Sequence, residues 1–254
     1  MSNSWIFTQP ISNTMNISSR TLYEATPCEK CDSAKDSIFC ALSKLDLQEL
    51  SHSKSFNTYK KGQVIFFERN HPLGLHCIYS GKVKIHKLGH DGKDQILRLA
   101  KKGQVIGYRA LLSDDCYHAS ATALEDSTIC FFPKATYQNL IVTNPLVISQ
   151  IMRLLSSDLK SAEQKAMDLA QKNVHERIAE TILMLKDFFG CEADGCTLNS
   201  KITRENIANI AGTTTETAIR TLSDLKKRKY IDLIGKKIKI INLQELIEIA
   251  NLTD

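Results

Sequence analysis

A chain of 254 residues and 28.5 kDa, 43% hydrophobic and 24% charged, has room for two domains and is too apolar to be a disordered polymer. Its formal net charge of +5 is modest, no segment approaches the ~20 apolar residues of a membrane span, and the N-terminal Met1-Ser-Asn-Ser-Trp-Ile-Phe lacks the basic patch and apolar run of a leader. A cytoplasmic protein without a membrane partner is expected, and eight cysteines in that compartment point to metal or redox chemistry rather than a disulfide framework.

Residues 1–27 are polar and aperiodic and read as a flexible arm. The cysteine segment Cys28-Glu-Lys-Cys31 to Cys40 follows, then a short helical pattern from Leu42 to about His52. From Phe56 to about Phe132 the period changes to two, in short runs punctuated by glycine, which predicts an antiparallel β-sandwich or barrel. Lys60-Lys-Gly-Gln-Val-Ile65 recurs letter for letter as Lys101-Lys-Gly-Gln-Val-Ile106, two matching turn-then-strand entries. After Pro133 the period is helical, and from Pro145 to about Phe189 there is neither Gly nor Pro, which predicts one long helix or two in succession. Within it Ile148, Ile151, Leu155, Leu159, Ala162, Ala166 and Leu169 recur at steps of three and four, a seam suited to pairing with a second copy.

Residues 202–230 read as two short helices joined by a tight turn. Ala208 sits where the helices cross, Gly212 where the turn needs positive φ, and Ala218 where the second helix faces back onto the first. Thr203 and Thr214 are placed to cap the two helices. The outer face of the second helix carries Thr215, Glu216, Ile219 and Arg220, and residues 199–239 hold ten Lys or Arg against four Asp or Glu. A basic surface around a helix-turn-helix is the footprint of a protein that neutralises DNA phosphates. Ile231 to Ile241 alternates around Gly235 as a hairpin wing. Such a reader binds a two-fold site, which favours reading the 148–169 stripe as a dimer interface over the commoner assignment to the chain's own core.

A β-roll, a long seam helix and a winged helix-turn-helix in that order resemble the CRP/FNR family of bacterial transcription factors, from Cys28 onward. The most specific pieces are Arg204-Glu-Asn-Ile-Ala-Asn, Glu216-Thr-Ala-Ile-Arg220, Ala123-Leu-Glu-Asp-Ser-Thr-Ile-Cys-Phe-Phe-Pro133, Met152-Arg-Leu-Leu and Gln171-Lys-Asn-Val-His-Glu-Arg-Ile. The resemblance implies an α+β fold: an arm over 1–27, a cysteine segment and cyclic-nucleotide-binding-like β-roll over 28–144, a dimerisation helix over 145–172 and a winged helix-turn-helix over 173–254. It implies a homodimeric, sequence-specific DNA-binding regulator, not an enzyme, that binds a roughly palindromic duplex and contacts RNA polymerase. Glu216 and Arg220 inherit the base contacts, and Arg204, Thr214, Thr215, Ile219 and Lys226 accompany them on the DNA. Arg suits guanine O6 and N7, a carboxylate suits cytosine N4, and Ile219 suits a thymine methyl.

Cyclic-nucleotide binders of the family carry Gly-Glu-Leu and a phosphate-binding Arg-Ser, where this chain has Gly107-Tyr108-Arg109-Ala110-Leu111 and His118-Ala119-Ser120. No cyclic nucleotide is therefore expected. The oxygen-sensing branch carries a [4Fe–4S] cluster on four cysteines, and the resemblance assigns them to Cys28, Cys31, Cys40 and Cys130. The spacing departs from that branch: eight residues separate Cys31 from Cys40 against five in its best-known member. The alternatives are a regulator with another effector or none. Its cysteines would be structural, or would bind zinc through Cys28 and Cys31 with Cys191 and Cys196. Haem on a histidine among 71, 76, 86, 90 and 118 is a further alternative. A dithiol enzyme built on Cys28 and Cys31 lacks the βαβ pattern around that motif. Cys77 and Cys116 have no partner at motif spacing and read as structural.

Overall fold

The computed structural model describes residues 26–35, 37–89, 92–200 and 202–251; most of the expected arm, together with His90 and Lys201, lies outside these. The cysteine segment begins with a 3-10 turn, Cys28–Lys30, and a short helix α1 (Asp32–Lys35). Helix α2 (Lys44–Ser53) is started by a reciprocal cap: Ser43 Oγ accepts the Asp46 N–H and the Asp46 carboxylate accepts the Ser43 N–H, each at 3.2 Å.

Eight strands follow: β1 (Ser55–Tyr59), β2 (Val64–Phe66), β3 (Gly74–Ser80), β4 (Lys82–Leu88), β5 (Asp94–Lys101), β6 (Val105–Ile106), β7 (Ser120–Ala123) and β8 (Ser127–Pro133), with helix α3 (Tyr108–Ser113) between β6 and β7. They pair antiparallel into two four-stranded sheets, β1-β8-β3-β6 and β2-β7-β4-β5. Ile78, Val83, Ala100, Ile106, Ala121 and Ile129 fill the space between the sheets. The repeated hexapeptide makes the same turn in each sheet. Gly62 and Gly103 take φ of +87° and +85°, and the Gln63 and Gln104 side chains accept the N–H groups of Lys60 and Lys101 at 2.6 and 3.0 Å. The repeat leads into β2 in one sheet and β6 in the other.

Strands β3 and β8 are buried on both faces. Their outer face, with Leu75, Cys77, Cys130 and Phe132, is covered by Cys28, Ile38, Phe39, Leu50 and residues of the next two helices, in a second core. Those helices are α4 (Lys134–Thr143) and α5 (Pro145–Gln171). At 27 residues α5 runs about 40 Å. It ends because Asn173 Oδ1 accepts the N–H groups of His175 and Glu176, at 2.9 and 3.2 Å, while Glu176 accepts the Asn173 N–H at 2.8 Å, which starts α6 (Val174–Phe189). The stretch free of Gly and Pro is thus two helices.

The last unit holds α7 (Arg204–Ala211), α8 (Thr215–Lys227), the hairpin β9 (Ile231–Ile234) and β10 (Lys237–Ile240), and a closing helix α9 (Leu243–Ala250) that packs on α6. Ile182, Ile207, Ala208, Ala218, Leu222 and Leu246, all fully buried, belong to its core. Polar bridges tie the three parts together. Arg98 of β5 donates to the Asp158 carboxylate of α5 at 2.8 and 3.0 Å, Lys165 of α5 donates to the Ile96 carbonyl at 2.9 Å, and Gln95 donates to the Asn209 carbonyl at the end of α7 at 2.6 Å.

Candidate functional site

The two Thr caps and three small residues build the reader. Thr203 Oγ1 accepts the Asn206 N–H at 3.1 Å and Thr214 Oγ1 accepts the Thr217 N–H at 3.2 Å, so both helix starts are satisfied by side chains. Ala208 and Ala218 have no exposed surface, and Gly212 lies in the left-handed region (φ +66°, ψ +48°). Arg177 of α6 donates to the Ala211 carbonyl at 2.9 Å, fixing the turn from behind. Thr214, Thr215, Glu216, Ile219 and Arg220 are all exposed on one face of α8.

Two expected DNA contacts sit differently. Arg204 is half-buried against the wing, where Nη2 donates to the Gly235 carbonyl at 3.3 Å while Nη1 is buried without a partner; burial holds the guanidinium below its ordinary pKa. Lys226 is exposed but paired with Asp232 of β9 at 2.8 Å. Arg228 likewise faces Asp224, and Lys237 and Lys239 face Glu192 and Asp194, two acids outside residues 199–239 that lower the local positive surplus. Arg220, Lys227, Lys229 and Lys236 are also exposed there.

Along α5, Ile148, Leu155, Leu159, Ala162, Ala166 and Leu169 are exposed at heptad spacing. Ile151 departs from the expected seam. It is only 4% exposed because that side of α5 covers the outer face of β3 and β8, and Met152, 62% exposed, occupies the heptad position instead. Leu169 also leans over the helix-turn-helix: a Cβ on Gly212 would lie 2.6 Å from its Cδ2.

In the roll, Tyr108 is buried and its hydroxyl donates to Asp158, the carboxylate that also holds Arg98. Burial first, and that carboxylate second, raise the phenol above its usual pKa. Arg109 faces solvent, and His118 pairs with Asp115 at 3.3 Å. Other histidines are dispersed: His76 is buried between Phe66 and Phe131, His86 meets Asp94 and Thr122, and His71 lies 3.6 Å from Cys116.

The cysteine segment is fastened to the outer face of β3. Ser33 donates to the Tyr79 carbonyl at 2.9 Å, Ser51 Oγ accepts the Cys28 N–H at 2.6 Å, and Lys54 donates to Cys28 Sγ at 3.2 Å and to the Thr26 carbonyl at 2.6 Å. Cys28, Cys31 and Cys130 are buried, and Cys40 is exposed. Cys77, which sequence spacing passes over, is the cross-strand partner of Cys130 and is buried on the same face. Burial, then the neighbouring Cys130, Cys31 and Cys28, push the Cys77 thiol well up, and burial raises Cys130 to about 12 against the opposing pull of Lys54. Among the described residues no three Cys, His, Asp or Glu groups are drawn close enough to hold a single metal ion. Cys191 bridges to Leu198 and Cys196 Sγ donates to the Asp194 carbonyl at 3.2 Å, both in the unit that carries the reader.

A β-roll joined through a long helix to a winged helix-turn-helix defines a DNA-binding transcription regulator. Residues 56–144 match the family model of the cyclic nucleotide-binding domain and residues 176–249 that of the Crp-like helix-turn-helix domain. The fumarate and nitrate reduction regulatory protein of Yersinia pestis is 30% identical over 229 residues, 89% of this chain and 91% of that protein. Electron transport regulator A of Shewanella oneidensis is 32% identical over 188 residues, 74% of this chain and 75% of its own. The structure of FixK2 from Bradyrhizobium japonicum shares the fold at a TM-score of 0.70 and 23% identity, over 79% of this chain and 99% of that one. The chain belongs to the CRP/FNR family of transcription regulators.

Proposed function

We propose that the protein is a cytoplasmic homodimer that reads a roughly two-fold DNA site and whose binding is gated by an oxygen- or redox-sensitive [4Fe–4S] cluster in the N-terminal domain. The observation that carries the sensory part is that Cys28 and Cys130 share one buried core on the outer face of β3 and β8, with Cys31 buried in the same segment. These residues fit such a group: all donors there are thiols, the surrounding core is apolar, and the Lys54 ammonium beside Cys28 offsets thiolate charge. The family resemblance assigns the fourth thiolate to Cys40. When bound, the cluster supplies a redox- and oxygen-labile bond set whose integrity depends on its ligands.

The chain's own residues connect that site to the reader. Val147 and Ile151 of α5 lie in the same core as Cys28 and Cys130, so the seat of the cysteine segment is also the seat of the helix. Further along, Asp158 clamps α5 to the roll through Arg98 and Tyr108, and Leu169 rests on Gly212 at the helix-turn-helix. A segment held firmly keeps α5 in one pose and presents its outer stripe to a second copy. A released segment loosens Val147 and Ile151, weakens pairing, and separates the two readers that must span half-sites about one helical turn apart. Glu216, Ile219 and Arg220 are the proposed base contacts, Thr214, Thr215, Lys226 and Arg204 the supporting ones, and RNA polymerase is the further partner that family membership implies. A cyclic nucleotide is not proposed, because Tyr108 is committed to Asp158 and the stretch Gly107 to Leu111 lacks the Glu of the nucleotide binders.

Protein purified without air should contain iron and acid-labile sulfide and absorb in the visible, and Cys130→Ala should lose all three. Wild-type protein free of iron and sulfide under strict anaerobiosis would reject the sensory reading and leave the DNA-binding one standing.

A further inference from the structure

Cys77 lies with Cys28 and Cys130 in the core on the outer face of the β1-β8-β3-β6 sheet. Cys77 and Cys130 are paired directly across antiparallel strands β3 and β8, so their side chains leave the same face of the sheet with Cβ atoms about 5 Å apart. Both are about 95% buried, and Cys28 joins them in one continuous core with Leu75 and Phe132. Cys31 is buried in the same segment, three residues from Cys28, whereas Cys40 is exposed.

The position of Cys40 has a local cause. Ile38 and Phe39, immediately before it, are 6% and 3% exposed, and the Phe39 ring packs on Phe132 with centroids 5.2 Å apart. Two adjacent apolar side chains anchored in the core turn the next residue outward. The turn is fixed by the Ser37 N–H to the Ala34 carbonyl at 3.2 Å, the Cys40 N–H to the Ser37 carbonyl at 3.1 Å and the Leu42 N–H to the Phe39 carbonyl at 3.1 Å. Drawing Cys40 in would pull Ile38 or Phe39, both large and apolar, out of the core that now covers them. The eight-residue interval between Cys31 and Cys40 is the chain's departure from the family's cysteine spacing, and it coincides with a fourth thiol already in place on the sheet.

We infer that Cys77, not Cys40, supplies the fourth thiolate, so that the site is Cys28 and Cys31 from the segment and Cys77 and Cys130 from the sheet. The inference rests on the cluster reading above and changes its geometry. Two ligands come from adjacent rigid strands and two from a segment held by Ser33, Ser51 and Lys54, so loss of the group frees the segment while the sheet half stays in place. Cys40 remains outside as an accessible thiol.

The test compares wild type, Cys40→Ser, Cys77→Ser and the apolar Cys77→Ala, purified without air, by iron and acid-labile sulfide per protomer and by visible absorption. Urea unfolding of the apo forms shows which variants are folded. Cys40→Ser should keep wild-type iron, sulfide and spectrum, and a folded Cys77 variant should fall to a tenth or less of both. Retention by a folded Cys77 variant, or loss from Cys40→Ser, overturns the assignment. Absence of iron and sulfide from wild type overturns the cluster reading itself, a distinguishable result. If neither Cys77 variant folds, anaerobic alkylation of wild type with iodoacetamide decides. Cys40 should react equally fast with the cluster present and absent; protection of Cys40 by the cluster, tenfold or more, overturns the inference.

Discussion

Leu159→Ala and Ile151→Ala, two substitutions eight residues apart on α5, should fail in opposite ways. Replacing Leu by Ala removes three carbon groups, worth about 2.4 kcal/mol on full burial at about 0.8 kcal/mol each. Leu159 is 60% exposed in one chain, so about 1.4 kcal/mol of that is gained only when a second copy covers it. Both copies carry the change, which makes about 3 kcal/mol in the dimer, or about 100-fold in the dissociation constant. Ile151, 4% exposed and facing β3 and β8, should instead cost the fold about 2–5 kcal/mol. Sedimentation equilibrium under anaerobic conditions measures the first effect and urea unfolding of the monomer the second. A dimer constant for Leu159→Ala within twofold of wild type would refute the assignment of the exposed stripe as the seam. So would a loss of monomer stability as large as that of Ile151→Ala.

Other sites give sharp outcomes. Gly212→Ala places a side chain at φ +66° with its Cβ 2.6 Å from Leu169, and it should destabilise the reader by about 1–2 kcal/mol in thermal unfolding; an unchanged midpoint would contradict the turn geometry. Asp158→Ala leaves the Arg98 guanidinium and the Tyr108 hydroxyl without their shared acceptor and should cost about 1–3 kcal/mol in urea unfolding, while an unaltered midpoint would show the clamp to be idle. Arg220→Ala should relax discrimination at one G·C pair by about 1–3 kcal/mol in competitive operator binding, and an equal loss on every sequence would remove Arg220 from base reading.

The reader was the most legible part because its constraints are local: two capping threonines, two alanines at a helix crossing and a glycine at positive φ act within one stretch of chain. The hexapeptide repeat was legible for the same reason, since a Lys-Lys-Gly-Gln turn closes on its own Gln side chain. The break between α5 and α6 had a signal, Asn173 three residues before Glu176, that hydrophobic periodicity overlooks. Helix α9 follows the wing with its own cap at Asn242, a signal that the hairpin's alternation does not carry. Ile151 was misplaced because a helix with apolar residues on two sides presents stripes at steps of three and four in either direction, and only tertiary packing selects which stripe meets the sheet. Motif spacing does not reach Cys77 because it counts along the chain, whereas the partner Cys130 lies 53 residues away and is adjacent only through strand pairing. The basic surplus around the reader is larger in sequence than in space because Glu192 and Asp194, which face Lys237 and Lys239, lie upstream of residues 199–239.

Control of DNA binding by the thiol site through the dimer can be followed in a single anaerobic sample, its iron and sulfide quantified, during controlled exposure to air, with operator binding read by fluorescence anisotropy and mass by light scattering. Iron loss, conversion of dimer to monomer and loss of specific binding should proceed together. Tight, specific binding by a dimer that has lost its iron and sulfide would contradict such control.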